Sequence, residues 1–294
     1  MNIFSVISIK SLSILAIKSI LKESELIKNF PYHYDNLLSP YIVASLFYEP
    51  STRTSLSFQS AIYKMNGKNL ILNEEYSSAK KGESLYDTIK TVENYANVLI
   101  LRHPEVGIFE KICKSTNLPI INAGDGSGEH PTQALLDLFT ILQYHKPPFK
   151  IALCGDIKNS RTVHSLINIL DKLYNNIFIF LVSCDQLKID KCSLPKNKFK
   201  EVDNLNQVIK DVDVIYMTRL QKERWCLEEN NHQNVIITEE LLNLSKNETI
   251  LMHPLPRNDE IPINLDNHPK SKYFEQVKNG VIVRMAILKY VLNI

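Results

Sequence analysis

The sequence lacks the features that mark several large classes of protein. Its 294 residues include five cysteines without a C-x-x-C pair, which argues against a disulfide framework and a structural zinc site and favours a reducing cytoplasm. No apolar run approaches the about 18 residues that a membrane helix needs. The net charge is only +2, from 34 basic and 32 acidic residues, so no overall field draws the chain to nucleic acid or to a membrane.

The composition is that of a soluble globular protein, with 44% hydrophobic and 22% charged residues. The length allows two domains of typical size. The N-terminal stretch is apolar, but Lys10 and Lys18 interrupt it and it has no evident cleavage site for a signal peptide. We therefore expect a strand from Ile3 to Ile9 followed by an amphipathic helix.

The stretch Tyr41 to Met65 contains the most informative pattern. A β-branched run, Ile42–Phe47, predicts a buried strand, and apolar residues at helical spacing follow from Phe58 to Met65. Between them lie Ser51, Thr52, Arg53 and Thr54. Hydroxyls and an arginine at a strand-to-helix turn favour an anion, because the first N–H groups of the helix point at the loop. An ordinary N-cap is the alternative interpretation.

Two further strands of the first half also end on polar residues. Residues 96–101 predict a strand that ends on Arg102, and residues 119–122 predict one that is followed by three glycines and His130. The glycine spacing does not match the dinucleotide fingerprint, so we do not expect a Rossmann cofactor. His130 is either a buried structural histidine or, at this loop-to-helix corner, a ligand-binding residue.

The second half repeats the pattern of strand, loop and helix. Residues 150–154 predict a strand before Arg161, residues 212–217 one before Arg219, and residues 249–252 one before the turn His253–Arg257. Alternating strands and helices indicate an α/β fold of two domains, each a parallel sheet flanked by helices. Ligands of such sheets bind at the carboxyl ends of the strands, so we expect a cleft between the domains that accepts a phosphate and a dicarboxylate.

Seven motifs in this order resemble the aspartate/ornithine carbamoyltransferase family over nearly the whole chain. They are S-T-R-T (51–54), K-K-G-E (80–83), R-H-P (102–104), H-P-T-Q (130–133), S-R-T-V-H-S-L (160–166), T-R-L-Q-K-E-R (218–224) and H-P-L-P-R (253–257). The last two are similar to the catalytic chains of the aspartate branch, because the ornithine branch typically carries an H-C-L-P turn.

The resemblance implies transfer of the carbamoyl group of carbamoyl phosphate to the amino group of L-aspartate, the second step of pyrimidine synthesis. The resemblance implies that the phosphate is bound by Ser51, Thr52, Arg53 and Thr54, and that the carbonyl is polarised by Thr54, Arg102 and His130. It implies that the carbamoyl NH2 is bound by Gln133 and by the backbone carbonyls of Pro254, Leu255 and Pro256. It implies that aspartate is bound by Arg161, Arg219, Gln221 and Lys81. No cofactor, no metal and no nucleophilic side chain is implied.

The resemblance also implies an assembly and a division of the chain. Residues 1–132, completed by the C-terminal helix 280–294, would bind carbamoyl phosphate, and residues 133–279 would bind aspartate. Ser77 and Lys81 would reach the site of a neighbouring subunit in a homotrimer, and Glu49 and Arg224 match residues that tie the domains together.

Two alternatives to this function stay open at this stage, and one part of the sequence departs from the family. The alternatives are an inactive binding subunit and an acceptor other than aspartate, such as ornithine. The departure is at Trp225-Cys226 and the segment after it, and it puts a cooperative switch in doubt.

Overall fold

The structure is a computed structural model that describes residues 4–73, 81–189, 199–221 and 235–294. The helices are α1 (Ile14–Asn29), α2 (Thr52–Lys64), α3 (Leu85–Val92), α4 (Ile108–Ile112), α5 (Pro131–Tyr144), α6 (Arg161–Leu173), α7 (Glu239–Asn243) and α8 (Tyr273–Leu292). The strands are β1 (Ile42–Phe47), β2 (Lys68–Asn73), β3 (Val98–His103), β4 (Ile120–Asp125), β5 (Lys150–Cys154), β6 (Phe178–Val182), β7 (Phe199–Val202), β8 (Val214–Met217) and β9 (Ile250–Met252).

The chain forms two compact units, Met1–Phe139 with Lys278–Ile294, and Thr140–Val277. Each unit contains one parallel sheet. The sheet of the first unit has the strand order β2-β1-β3-β4, and the sheet of the second has the order β7-β6-β5-β8-β9. The predicted fold class, two parallel sheets flanked by helices, is confirmed.

In the first unit, the parallel register gathers the loops that follow β1, β3 and β4 at one edge of the sheet. Phe47 pairs with Arg102, and His103 pairs with Asp125. The turn after β4 then packs directly on the turn after β3. Gly126 has a φ of +46°, and a Cβ atom there would lie 2.2 Å from the carbonyl oxygen of Pro104, so only glycine fits.

Burial of one face of α2 anchors this edge to the core of the first unit. The predicted inner face, from Phe58 through Ala61 and Ile62 to the following Met65, is fully buried. Burying each large apolar side chain contributes about 1.5–3 kcal/mol. This packing fixes where the first turn of α2 lies.

In the second unit, the carboxyl ends of β5 and β8 are adjacent, with Cys154 paired to Met217. Gly155 follows β5 with a φ of +104°, and a Cβ atom there would lie 2.3 Å from the carbonyl oxygen of Thr218. The loop after β5 therefore lies directly against the segment after β8. The strand β7 was not predicted, because its central residues, Lys200 and Glu201, are charged and it lies at the sheet edge.

Two predictions about the chain ends need correction. The N-terminal strand is reduced within the described residues to one parallel bridge between Val6 and Ile121. The last helix begins at Tyr273 instead of Gly280. Its early turns bury Gln276 and Asn279 as well as Tyr273, so polar residues interrupt the apolar period of their inner face.

None of the helices in the four described ranges is both long enough and apolar enough to cross a bilayer.

Candidate active site

The 51–54 corner, the turn of Ser51, Thr52, Arg53 and Thr54, joins the end of β1 to α2. Ser51 is the N-cap residue, with an extended backbone, but among the described residues its side chain makes no capping hydrogen bond. The first turn of α2 also contains no acidic residue. Thr52 and Arg53 are exposed and Thr54 is buried. The corner thus places backbone N–H groups, hydroxyls and an arginine side chain close together, a combination typical of anion sites.

Arg102 lies at the end of β3, beside Phe47 of β1, and is 8% exposed. One terminal nitrogen of its guanidinium lies 2.8 Å from a carboxylate oxygen of Glu49, and the other donates to the carbonyl of Ala123 at 3.3 Å. These contacts fix the guanidinium between the loop after β1 and the end of β4. Arg102 therefore lies at the same sheet edge as the 51–54 corner.

His130 is buried, and its ring lies between two threonine hydroxyls. Its Nε2 is 3.4 Å from Oγ1 of Thr54, and its Nδ1 is 3.4 Å from Oγ1 of Thr132. Both contacts are long for hydrogen bonds. A hydroxyl can donate to Nδ1, so Thr132 can hold the tautomer in which Nε2 carries the proton. His130 thus joins the first turn of α2 to the first turn of α5.

Gln133 lies in the first turn of α5 and is half-buried. Its side-chain Nε2 donates to Oδ1 of Asp137 at 2.8 Å, one helical turn further on. The structure therefore assembles Thr54, Arg102, His130 and Gln133 in the first unit, from the ends of neighbouring elements.

The 160–162 corner, the turn of Ser160, Arg161 and Thr162, opens α6 in the second unit. Here the N-cap side chain is engaged: Ser160 Oγ accepts from the N–H of Val163 at 3.5 Å and lies 3.0 Å from Oγ1 of Thr162. Arg161 is 6% exposed. The corner thus presents a nearly buried guanidinium in front of a capped helix.

The segment 218–221 is held against the loop that leads to Arg161. The hydroxyl of Thr218 donates to the carbonyl of Cys154 at 2.9 Å, and the N–H of Gln221 donates to Asp156 at 3.0 Å. The other carboxylate oxygen of Asp156 accepts two hydrogen bonds from Asn159. Asp156 is fully buried. Its hydrogen bonds join the loop before Arg161 to the segment that carries Arg219 and Gln221. Arg219 is half-buried, and its guanidinium donates to the carbonyl of Leu220 at 3.0 Å.

The 253–257 turn follows β9 and is fixed by its first residue. Nδ1 of His253 accepts from the N–H of Leu255 at 2.8 Å, and Nε2 lies 2.8 Å from Glu260. Since Nδ1 is an acceptor, Nε2 carries the proton that is donated to the carboxylate. Leu255 has a φ of +53°, an uncommon conformation for a branched residue. This ring therefore holds the backbone that carries the Leu255 carbonyl.

Charged groups around this turn have shifted pKa values. Burial by itself would raise the pKa of Glu260, but hydrogen bonds from His253 and from backbone N–H groups hold it below its usual value. Beyond the turn, the hydrogen bonds from Arg257 and Tyr273 lower the pKa of Asp266, with the arginine as the larger cause. Both carboxylates are therefore ionised at neutral pH.

Three buried carboxylates were missed by the sequence reasoning: Asp137, Asp156 and Glu260 are each 0% exposed. Asp137 contacts Gln133, and Asp156 contacts the backbone of Gln221. Glu260 contacts the ring of His253, which in turn accepts from the N–H of Leu255. A single sequence gives only a weak signal for them, which is an acidic residue a few positions from a polar turn at the end of a strand.

The candidate residues contributed by loops are described only in part. Lys81 is exposed. Ser77, Arg224 and the departing segment at Trp225-Cys226 lie outside the described residues. Glu49 contacts Arg102 within the first unit.

Models of one protein family match both halves of the chain. Residues 5–143 match "Aspartate/ornithine carbamoyltransferase, carbamoyl-P binding domain", and residues 148–291 match "Aspartate/ornithine carbamoyltransferase, Asp/Orn binding domain".

Individual relatives are similar over most of their length. The aspartate carbamoyltransferase catalytic subunit of Clostridium novyi is 44% identical over 276 residues, 90% of each chain. The aspartate transcarbamoylase of Trypanosoma cruzi, solved with carbamoyl phosphate and aspartate, is 36% identical with a TM-score of 0.87, covering 97% of this chain and 95% of that one. The catalytic subunit of M. jannaschii aspartate transcarbamoylase is 38% identical with a TM-score of 0.88, covering 100% and 98%.

Proposed function

This chain belongs to the aspartate/ornithine carbamoyltransferase family, and we propose from its geometry how its residues serve the family's reaction. The chain is an enzyme that transfers the carbamoyl group of carbamoyl phosphate to the amino group of L-aspartate. The products are N-carbamoyl-L-aspartate and phosphate, and the reaction is the second step of pyrimidine synthesis.

The observation that carries the mechanism is the arrangement in the first unit. Ser51, Thr52, Arg53 and Thr54 bind the phosphate through hydroxyls, the guanidinium and the N–H groups of α2. The uncapped Ser51 and the absence of acidic residues from the first turn of α2 support this role. Arg102 spans the phosphate and the carbamoyl oxygen, because Glu49 and Ala123 hold its guanidinium at the same edge.

The carbamoyl oxygen becomes negatively charged when the amino group of aspartate attacks the carbonyl carbon. Thr54, Arg102 and His130 donate to that oxygen. Each preorganised donor of this kind contributes about 3–4 kcal/mol to the stabilisation of the tetrahedral intermediate. The C–O bond to phosphate then breaks, and the proton lost by the amine is available to the departing phosphate. No protein nucleophile is needed, so catalysis consists of positioning and charge stabilisation.

The carbamoyl NH2 group needs acceptors, since it can only donate. The side-chain oxygen of Gln133 and the backbone carbonyls of the turn from Pro254 to Pro256 accept from it. The hydrogen bonds that His253 makes to Leu255 and Glu260 support a fixed position for these carbonyls. An acetyl group lacks this NH2, so these acceptors select the carbamoyl group.

Aspartate has two carboxylates, and two arginines provide the opposite charges. Arg161 and Arg219, with Gln221 and Lys81, bind the carboxylates, for which a planar guanidinium is well suited. The link that Asp156 makes between Gln221 and the loop before Arg161 supports this grouping. Residues 1–132 with 280–294 then form the domain for carbamoyl phosphate, and residues 133–279 the domain for aspartate.

The acceptor specificity is tested by one assay on the purified protein. With carbamoyl phosphate, we expect carbamoylation of aspartate and none of ornithine. Carbamoylation of ornithine would contradict the proposed role of the 218–221 segment, and activity with neither acceptor would contradict the function itself.

The proposal includes a homotrimer in which Ser77 and Lys81 serve the site of a neighbouring subunit. The Lys81→Ala and Arg53→Ala proteins should each be nearly inactive. When the two are dissociated, mixed and reassembled, some sites receive an intact Arg53 and an intact neighbouring Lys81, so a measurable fraction of activity should return. Reassembled hybrids, verified by mass, that stay inactive would place Lys81 in its own subunit.

The proposed location is the cytoplasm. Cys113, Cys154 and Cys184, within the described ranges, carry free thiols, as suits a reducing compartment.

A further inference from the structure

Asp137 determines which way the side-chain amide of Gln133 faces. It is 0% exposed, and its Oδ1 accepts from Nε2 of Gln133 at 2.8 Å. An ionised carboxylate accepts hydrogen bonds and cannot donate them. The amide nitrogen must therefore face Asp137, and the amide oxygen, Oε1, faces the opposite way as an acceptor.

Arg284 of α8 provides the opposite charge in the same core. It is 3% exposed; its Nη1 donates to Oγ of Ser57 at 3.0 Å and to the carbonyl of Gly280 at 3.1 Å, and its guanidinium stacks 5.1 Å above the ring of Phe58. Burial lowers the pKa of Arg284 to about 10, and the charge of Asp137 acts against that decrease. Arg284 is thus protonated at neutral pH, and its positive charge lies in the same core as Asp137.

We propose that Asp137 is a positioning residue for carbamoyl phosphate: it holds Gln133 in the one amide orientation that accepts a hydrogen bond from the carbamoyl NH2. The inference rests on the role of Gln133 proposed above. In the flipped orientation the amide would point its own NH2 at the NH2 of the substrate, and two donors would face each other. Asp137 therefore contributes to the selection of a carbamoyl over an acetyl group without touching either.

The test is Asp137→Asn, with two ligands that differ only at the NH2. The positive charge of Arg284 attracts the oxygen of the introduced asparagine, as it attracts the carboxylate of Asp137. The NH2 of the asparagine therefore faces Gln133, whose amide flips to accept from it. The carbamoyl NH2 is left without this acceptor in a buried site, which weakens binding. We expect the Kd of carbamoyl phosphate to rise about tenfold, and the Kd of acetyl phosphate, which has a methyl group instead of NH2, to change by less than about twofold.

A second variant reverses donor and acceptor. In Asp137→Asn combined with Gln133→Glu, the NH2 of the introduced asparagine donates to the introduced glutamate, whose other oxygen faces the carbamoyl NH2 as an acceptor. The double variant also keeps one carboxylate within this pair of positions, so its total charge equals that of the parent even if Asp137→Asn alone does not fold. We expect the double variant to bind carbamoyl phosphate more tightly than acetyl phosphate by a ratio close to that of the parent.

Asp211→Asn is the matched control, since Asp211 is exposed and the change removes the same charge. Equal weakening of both ligands in Asp137→Asn, or no weakening, would overturn the proposal, as would loss of selectivity in the double variant. A parent protein that does not distinguish the two ligands would instead contradict the proposed role of Gln133. Thermal melting of every variant separates lost folding from lost selectivity.

Discussion

The 51–54 corner and the 160–162 corner share the same local sequence pattern but differ in their N-cap hydrogen bonds and in the exposure of their arginines. Each is a serine-led turn that carries an arginine and leads from a parallel strand into a helix. In the first, the side chain of Ser51 makes no capping bond among the described residues, and Arg53 is exposed. In the second, Ser160 caps its helix and Arg161 is 6% exposed.

The difference supports the ligand that we propose for each corner. The uncapped helix start offers several N–H groups to one compact, multiply charged anion, as a phosphate requires. The capped start has already used a donor on its own serine, so its specificity comes from the guanidinium, which suits a carboxylate. In the proposed mechanism one local motif thus serves two ligands, and the N-cap distinguishes them.

The largest expected effect is at the first corner. Arg53→Ala should lower kcat/KM for carbamoyl phosphate about a thousandfold, because it removes the proposed contact between a positively charged guanidinium and the negatively charged phosphate. Steady-state kinetics measures this value, and calorimetry should show that inorganic phosphate no longer binds. Retained phosphate binding would show that the corner does not hold the anion.

His130→Ala tests whether His130, which contacts Thr54 of the first corner, takes part in the chemical step. Its hydrogen bond should strengthen as charge grows on the carbonyl oxygen, so kcat should fall about a hundredfold, with much less change in the Kd of carbamoyl phosphate. Turnover that is unchanged at saturation would return His130 to a structural role between Thr54 and Thr132.

In the second unit, which contains the 160–162 corner and the segment 218–221, the effect of a lost arginine should appear only with the acceptor. Arg219→Ala removes a guanidinium from one aspartate carboxylate, and a charged hydrogen bond contributes about 1.5–3 kcal/mol. We expect kcat/KM for aspartate to fall about thirtyfold, with the Kd of carbamoyl phosphate nearly intact in calorimetry. If carbamoyl phosphate binding collapses instead, the proposed assignment of Arg219 to aspartate is wrong.

Sequence reasoning recovered the corners because they follow a general rule. Arg102 ends an apolar strand, and Arg161 and Arg219 follow apolar strands, so these polar residues stand out in the sequence. Sequence reasoning failed where the buried side chains are polar. The inner face of early α8 carries Gln276 and Asn279, which interrupt its apolar period, although Gln276 accepts from the backbone of His253.

The buried acids show the same limit. Whether Asp137, Asp156 or Glu260 is a surface charge or a support of the site depends on a partner, and for Asp156 that partner is 65 residues away in the chain. Spacing along one sequence does not contain that contact. The domain division and the shared subunit site stay predictions for a related reason, because each concerns more than one unit or chain.

The smallest expected effects separate the two serines most sharply. Ser160→Ala removes a cap, which is long at 3.5 Å, so we expect a loss of about 0.5–1 kcal/mol and a decrease in Tm of about 2 °C. Ser51→Ala removes no cap and should leave Tm nearly unchanged. It should instead weaken carbamoyl phosphate binding about tenfold, because the hydroxyl serves the ligand.

The control for these two variants is Ser13→Ala, since Ser13 caps α1 by accepting from Ala16 N–H at 3.0 Å and belongs to neither corner. It should lower Tm and leave kcat and both substrate affinities unchanged. A Ser51→Ala protein that behaves like Ser13→Ala, less stable but equally active, would mean that both corners are ordinary capped helix starts. The contrast between them would then lie in the arginines alone, because Arg53 is exposed and Arg161 is nearly buried.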